Sequence, residues 1–218
     1  MVLLLAATLD LPLRDRNGLL EAAGFIAAFR DVPLEAPEAA SLRRAIDLIL
    51  DGIEPNGAIA CDRTWNIVRM NSAASRLFAL FADVMNAPAA VMQNALVATL
   101  HPAGLRSALV NFEEVAALLL DRVRREAARF ADNPELGRLR DELARIPDLP
   151  LPRPASRTAE GPFLTVHLRR GDVEARLFTT VATIGTPIDA TAEDLRIETY
   201  FPADEHTEKL VASLAGTA

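Results

Sequence analysis

Half of the 218 residues are hydrophobic, enough to fill a core, so disorder is excluded as the default state. The formal net charge of −7 argues against a nucleic-acid binder for the chain as a whole, because duplex affinity comes largely from neutralised phosphates. One cysteine, Cys61, excludes an internal disulfide framework; with no CxxC or Cys/His cluster there is no structural zinc signature, and a reducing, cytoplasmic setting fits best.

The opening VLLLAATLDLPL lacks a preceding basic flank and is interrupted by Asp10, too short for a spanning helix or an export signal. Pro12 and Gly24 bracket a short amphipathic helix with Leu19, Leu20 and Ala23 along one face. Residues 30 to 36 read as a linker. Pro37-Glu38 then opens a longer helix in which Leu42, Ala45, Ile46, Ile49, Leu50 and Ile53 recur at spacings of three and four.

In AIACDRTWNIVRMN two apolar runs flank the turn-prone Asp62-Arg63-Thr64, which predicts strand, tight turn and strand with Trp65, the only tryptophan, at the corner. Asn71 stands where its side chain can cap a helix beginning at Ser72. Further helices are expected over 72 to 82, about 88 to 100, about 105 to 130 and 133 to 146. The third carries an apolar stripe of Phe112, Val115, Ala116, Leu119, Val123, Ala127 and Phe130, with Arg122, Arg124, Arg125 and Arg129 expected on its outer side. Residues 147 to 162 hold five of the fourteen prolines and read as a loop.

Beyond the loop the period changes to two. Leu164/Val166/Leu168, Leu177/Thr179/Val181 and Leu195/Ile197/Thr199 are expected to share one apolar face of a three-stranded meander. Arg176, Phe178, Thr180, Arg196, Glu198 and Tyr200 fall on the other; with Phe163 and Ile184 that face carries enough apolar surface to need some cover. Two short strands, helices and a meander make an α+β chain. By analogy this is the order of a PAS-like domain, one antiparallel sheet with helices packed on one face.

No motif of covalent or phosphate chemistry is present: no GxGxxG, P-loop, GxSxG or HExxH. Cys61 closes an apolar strand with no histidine in sequence reach and reads as a buried structural thiol. His101, His167 and His206 are not spaced as metal ligands, so no enzyme, catalytic residue, metal or cofactor is expected. The remaining chemistry is apolar. Phe78, Phe81, Leu96, Phe112, Val115 and Leu119 on helices face Leu177, Val181 and Ile197 on strands, with Trp65 at one end; these side chains either fill a core or wall a cavity.

CDRTWNIVRMNSAASRLF, HPAGLRSALVNFEEVA, ARLFTTVATIGTPIDATAEDLRIETYFPAD and LDLPLRDRNGLLEAAGF together resemble the MmyB-like (MltR) family of bacterial transcription regulators. In that family an Xre-type helix-turn-helix domain precedes a PAS-like ligand-binding domain. The resemblance implies residues 1–29 as the end of the DNA-binding domain, 30–36 as linker, 37–210 as the ligand-binding domain and 211–218 as a tail. It implies an effector sensor holding a small, fatty-acid-like apolar ligand between sheet and helices. Trp65 would wall one end of that pocket, and Asn71, Asn111 and Arg69 are candidates for its polar end. Asn111-Phe112 stands where the family has asparagine-tryptophan, and the Pro-rich loop departs from the family pattern. The family's recognition helix would lie upstream of Met1, so the chain is expected to be truncated and to reach DNA only through that missing element. A homodimer without membrane contact is expected; the alternative is a PAS-like dimerisation module with a filled core and no ligand.

Overall fold

The computed structural model describes residues 1–129, 133–152 and 163–215; Phe130 and the loop residues 153 to 162 lie outside that set. The strands are β1 (Gly57–Cys61), β2 (Ile67–Met70), β3 (Thr165–Arg170), β4 (Val173–Thr183) and β5 (Arg196–Pro202). They form one antiparallel sheet in the order β2-β1-β5-β4-β3, so the chain's first and last strands pair at the centre. With the helices this is the expected α+β, PAS-like architecture, except that helices pack on both faces of the sheet, Ala40–Ile53 lying on the face opposite Trp65.

The helices are α1 (Val2–Thr8), α2 (Leu13–Ala22), α3 (Ala40–Ile53), α4 (Ser72–Phe81), α5 (Ala89–Met92), α6 (Ala95–Leu100), α7 (Phe112–Arg129), α8 (Pro134–Leu143), α9 (Ala190–Asp194) and α10 (Glu205–Ala215). Three of them, α1, α9 and α10, are absent from the periodicity reading. Helix α10 runs through the start of the expected tail, and its Val211 is 5% exposed. The helix expected over 88 to 100 divides at Asn94, whose side chain accepts from Leu96 N and Val97 N to start α6. The helix expected from about 105 begins only at Phe112. The segment before it spends its backbone on the edge of β3: Leu109 bridges Leu168, and Val110 N donates to His167 O at 2.8 Å. Covering an edge strand in this way satisfies groups that would otherwise invite pairing with another chain.

Alternation along β1 sorts the core. Ala58 and Ala60 pack with Ile46 and Leu50 of α3, while Ile59 and Cys61 face Trp65, α6 and α7. Helix α4 lies so close on β1 that a Cβ at Gly57 would stand 3.1 Å from Ala74 Cα, which only glycine avoids. Leu77 and Phe81 of α4 join Leu168, Ala175 and Leu177 in a second cluster that Leu210 and Leu214 of α10 flank.

One face assignment is corrected. Strand β4 pairs with β5 so that Thr179 faces Tyr200, Val181 faces Glu198 and Ala182 faces Ile197. Glu198 and Tyr200 therefore share the face of Leu177 and Thr179, whereas Leu195 and Ile197 lie on the opposite face against α3. A shift of one residue in a period-two strand moves every side chain to the other face, and the pairing register alone sets that parity. The outer face carries instead a ladder of Phe163, Phe178 and Phe201, with centroids 4.7 and 5.4 Å apart. No helix among the described residues is long and apolar enough to cross a membrane.

Candidate ligand site

The sharpest backbone feature lies at the Trp65 corner, where a bulky residue adopts φ of +67°, in the left-handed region that favours glycine. The surrounding turn holds it there. Asp62 Oδ1 accepts from Thr64 N at 2.8 Å, Asn66 N at 3.0 Å and the Thr64 hydroxyl at 2.8 Å. Asn94 Nδ2 donates to Thr64 O at 2.8 Å, and Ala95 N donates to Trp65 O at 2.9 Å, which ties the turn to the start of α6. Strain that persists because its surroundings over-determine it points to function.

This conformation turns the indole inward, where it is 1% exposed. Its Nε1 donates to Glu126 Oε2 at 3.2 Å, and the guanidiniums of Arg122 and Arg196 lie over the ring at 4.9 and 4.8 Å from its centroid. Arg196 also donates to both Glu126 oxygens at 3.1 Å. Trp65 therefore combines an apolar wall with a polar mount, each cation–π contact contributing about 0.5–2 kcal/mol.

The indole forms one wall of a cavity of about 130 Å³ between the sheet and helices α4, α6 and α7. Ile59, Val166, Leu168 and Leu177 form its sheet side; Phe78, Leu96, Ala98, Val115 and Leu119 form its helix side; Met70 and Met92 also line it. Its polar groups are Thr99, Arg122, Thr179, Glu198 and Tyr200.

Of the residues singled out in the sequence, Trp65, Phe78, Leu96, Val115, Leu119 and Leu177 line this cavity, and the others stand elsewhere. Phe81, 1% exposed, belongs to the neighbouring cluster. Phe112 packs against both clusters, with the Arg106 guanidinium 4.4 Å from its ring centroid. Val181 is carried past the cavity and is 38% exposed, and Ile197 faces α3.

The two asparagines are corrected most clearly, because backbone groups already use their hydrogen-bonding capacity. Asn71 Oδ1 accepts from Ala58 N and Ala74 N, both at 2.9 Å, while Nδ2 donates to Leu50 O and Asn56 O at 3.2 and 2.9 Å. It caps α4 and locks β1 to α3. Asn111 Nδ2 donates to Thr165 O at 2.7 Å and Oδ1 accepts from His167 N at 3.0 Å, imitating a neighbouring strand on β3. Arg69 lies outside the cavity, 3.9 Å from Asp47.

The polar end of the cavity comes from residues the sequence reading placed outside. Tyr200 Oη donates to Glu198 Oε2 at 3.0 Å. Burial pushes the Glu198 carboxyl above the usual carboxylate range, and its hydrogen bond from Tyr200, the Arg122 charge and a hydrogen bond with Thr179 only partly offset this. Burial and the adjacent carboxyl push the Tyr200 phenol well up. Arg122 had a signal available: it follows Leu119 by three and Val115 by seven, which puts it on the apolar stripe of α7. For Glu198 and Tyr200 the missing information was the register of β5.

Burial holds the Cys61 thiol protonated, the setting of an inert cysteine. His167 Nε2 lies 2.7 Å from Glu174 Oε1, and among the described residues no cluster of three metal-binding side chains occurs.

Two residues before Trp65, Arg63 links the site to the N-terminal helices. Its guanidinium lies 3.7 Å from Asp15 of α2 and 3.8 Å from Asp194 of α9. Asp194 also binds Arg14 Nε at 2.7 Å, and Leu13 N donates to Glu193. Helix α2 is thus joined to the turn that carries the cavity wall.

Residues 42–214 match the family model of the MmyB-like transcription regulator ligand binding domain. No curated protein matches the chain.

Proposed function

Because the chain belongs to the MmyB-like transcription regulators, whose ligand-binding domain spans residues 42–214, we propose that the cavity beneath Trp65 is its effector site and that the effector is fatty-acid-like. The observation that carries this reading is a partly enclosed, mainly apolar space with a few polar groups in its lining, the form small-molecule sites take. About twelve buried methylenes contribute roughly 10 kcal/mol at ~0.8 kcal/mol each. Micromolar binding needs about 8 kcal/mol after the losses of association, so a mostly preformed, dry pocket is required. The 130 Å³ now open accepts part of such a chain. The flexible thioethers of Met70 and Met92 are the side chains that can swing aside for the rest.

In this reading the ligand's contact with Trp65 reaches α2 through Arg63 and Asp194, and α2 belongs to the end of a DNA-binding unit. DNA is then contacted through a helix-turn-helix domain and the protein works in the cytoplasm. A second reading, a dimerisation module, is favoured by the Phe163–Phe178–Phe201 ladder, whose Phe163 is 48% exposed. Homodimer formation is compatible with both.

The test is a lipid extract of purified protein examined by mass spectrometry, followed by titration of delipidated protein with a C12 to C16 fatty acid. The expected outcome is a bound acyl species and a saturable change in Trp65 emission, since this indole is the only one in the chain. No acyl species and no change at millimolar fatty acid would leave dimerisation as the better reading.

A further inference from the structure

Arg122 is the unusual member of the cavity lining. Among the described residues its guanidinium makes no hydrogen bond and no ion pair; its one close partner is the Trp65 ring. A guanidinium carries five N–H donors in a planar fork, and at this half-buried position none of them is spent on another group of the described residues. Lying over an indole leaves the edge of the fork free, the geometry in which arginine takes a carboxylate with two parallel hydrogen bonds. Glu198 lines the same cavity, outside ion-pair contact with Arg122, and its carboxyl is partnered by Tyr200. Both groups therefore line one cavity with no ion pair between them.

Resting on the effector-site reading above, we infer that Arg122 anchors the carboxylate of an acyl ligand, with the Glu198–Tyr200 pair completing the head-group site. Burial shifts Glu198 toward its protonated form, which lessens its repulsion of a ligand carboxylate. An amine head group would meet the Arg122 cation, and an alcohol would leave most of its fork unpaired. The apolar lining then selects the chain and Arg122 selects the acid.

The experiment compares dodecanoic acid, dodecanol and methyl dodecanoate on delipidated wild type, R122Q and R122K, by calorimetry with Trp65 emission as a second readout. Wild type is expected to prefer the acid over the alcohol and the ester by tenfold or more. R122Q should weaken the acid by about 10- to 100-fold, the span of a charge-assisted hydrogen bond, and change the alcohol by less than about threefold. R122K should recover part of the acid's affinity. Equal wild-type affinity for acid and alcohol, or an R122Q loss that is the same for all three probes, overturns the anchoring role while leaving the effector site standing. Failure of all three probes to bind wild type overturns the effector site and the anchor with it.

Discussion

Ala98 on α6 lines the cavity and is 5% exposed, so Ala98→Leu adds three carbon atoms where the structure has space. At roughly 25–30 Å³ per carbon, similar to the share of a water molecule in the liquid, the addition occupies about 80 Å³. That is less than the 130 Å³ available. Buried cavities cost about 24 cal/mol per Å³, so filling 80 Å³ stabilises the ligand-free protein by up to about 2 kcal/mol. For a chain of this length that raises Tm by about 4–8 °C. The same leucine removes most of the room for a ligand, so stability should rise as fatty-acid binding is lost. Thermal melts of delipidated wild type and A98L, with a titration of each, read both effects. In a close-packed core the extra carbons would force side chains off their rotamers at a cost of about 1–3 kcal/mol. A fall in Tm would therefore refute the cavity, because the sign of the change depends on whether the space is empty.

Asn71→Ala should destabilise the fold by roughly 3–5 kcal/mol, combining about 1 kcal/mol for the lost cap of α4 with the cost of leaving Ala58 N, Leu50 O and Asn56 O unsatisfied. Urea unfolding checks it, and a loss under 1 kcal/mol would remove Asn71 from its place as the link between α3, β1 and α4. Glu198→Gln should stabilise the protein and flatten its pH response. The folded carboxyl lies above its ordinary value of 4.5, so the folded state holds the proton more tightly than the unfolded state. Wild-type stability then falls as pH rises from about 4.5 through the folded pKa, and glutamine, which cannot ionise, removes that fall. Melting temperatures of both proteins between about pH 4 and 8 test this; a mutant-minus-wild-type difference that does not vary with pH would show that Glu198 titrates normally.

The asparagine at the end of the second strand, the turn before Trp65, the stripe on α7 and the two-residue period after the Pro-rich loop are each decided within a few neighbouring residues. Capping, turn chemistry and amphipathic spacing are local, so the helices and strands around the site and the α+β order were legible in the chain. The same locality explains why Trp65, Phe78, Leu96, Val115, Leu119 and Leu177 could be picked out together: each lies on the apolar side of its own element.

What tertiary structure alone decided is how those elements face one another. Alternation in β5 shows that Leu195, Ile197 and Thr199 share a side and that Glu198 and Tyr200 share the other. It carries no information about which side meets α7. That choice followed from the pairing of Thr179 with Tyr200 and from α3, which covers Leu195 and Ile197 on the opposite face. With apolar cover on both faces, hydrophobicity ceases to mark the interior side, and the polar end of the cavity went to Glu198, Tyr200 and Arg122 instead of Asn71 and Asn111. The asparagines could be excluded only when their long-range backbone partners, 13 to 56 residues distant in sequence, came into view. The empty volume is likewise a property of packing: the same side chains can fill a core or wall a cavity, and the distances between elements decide which.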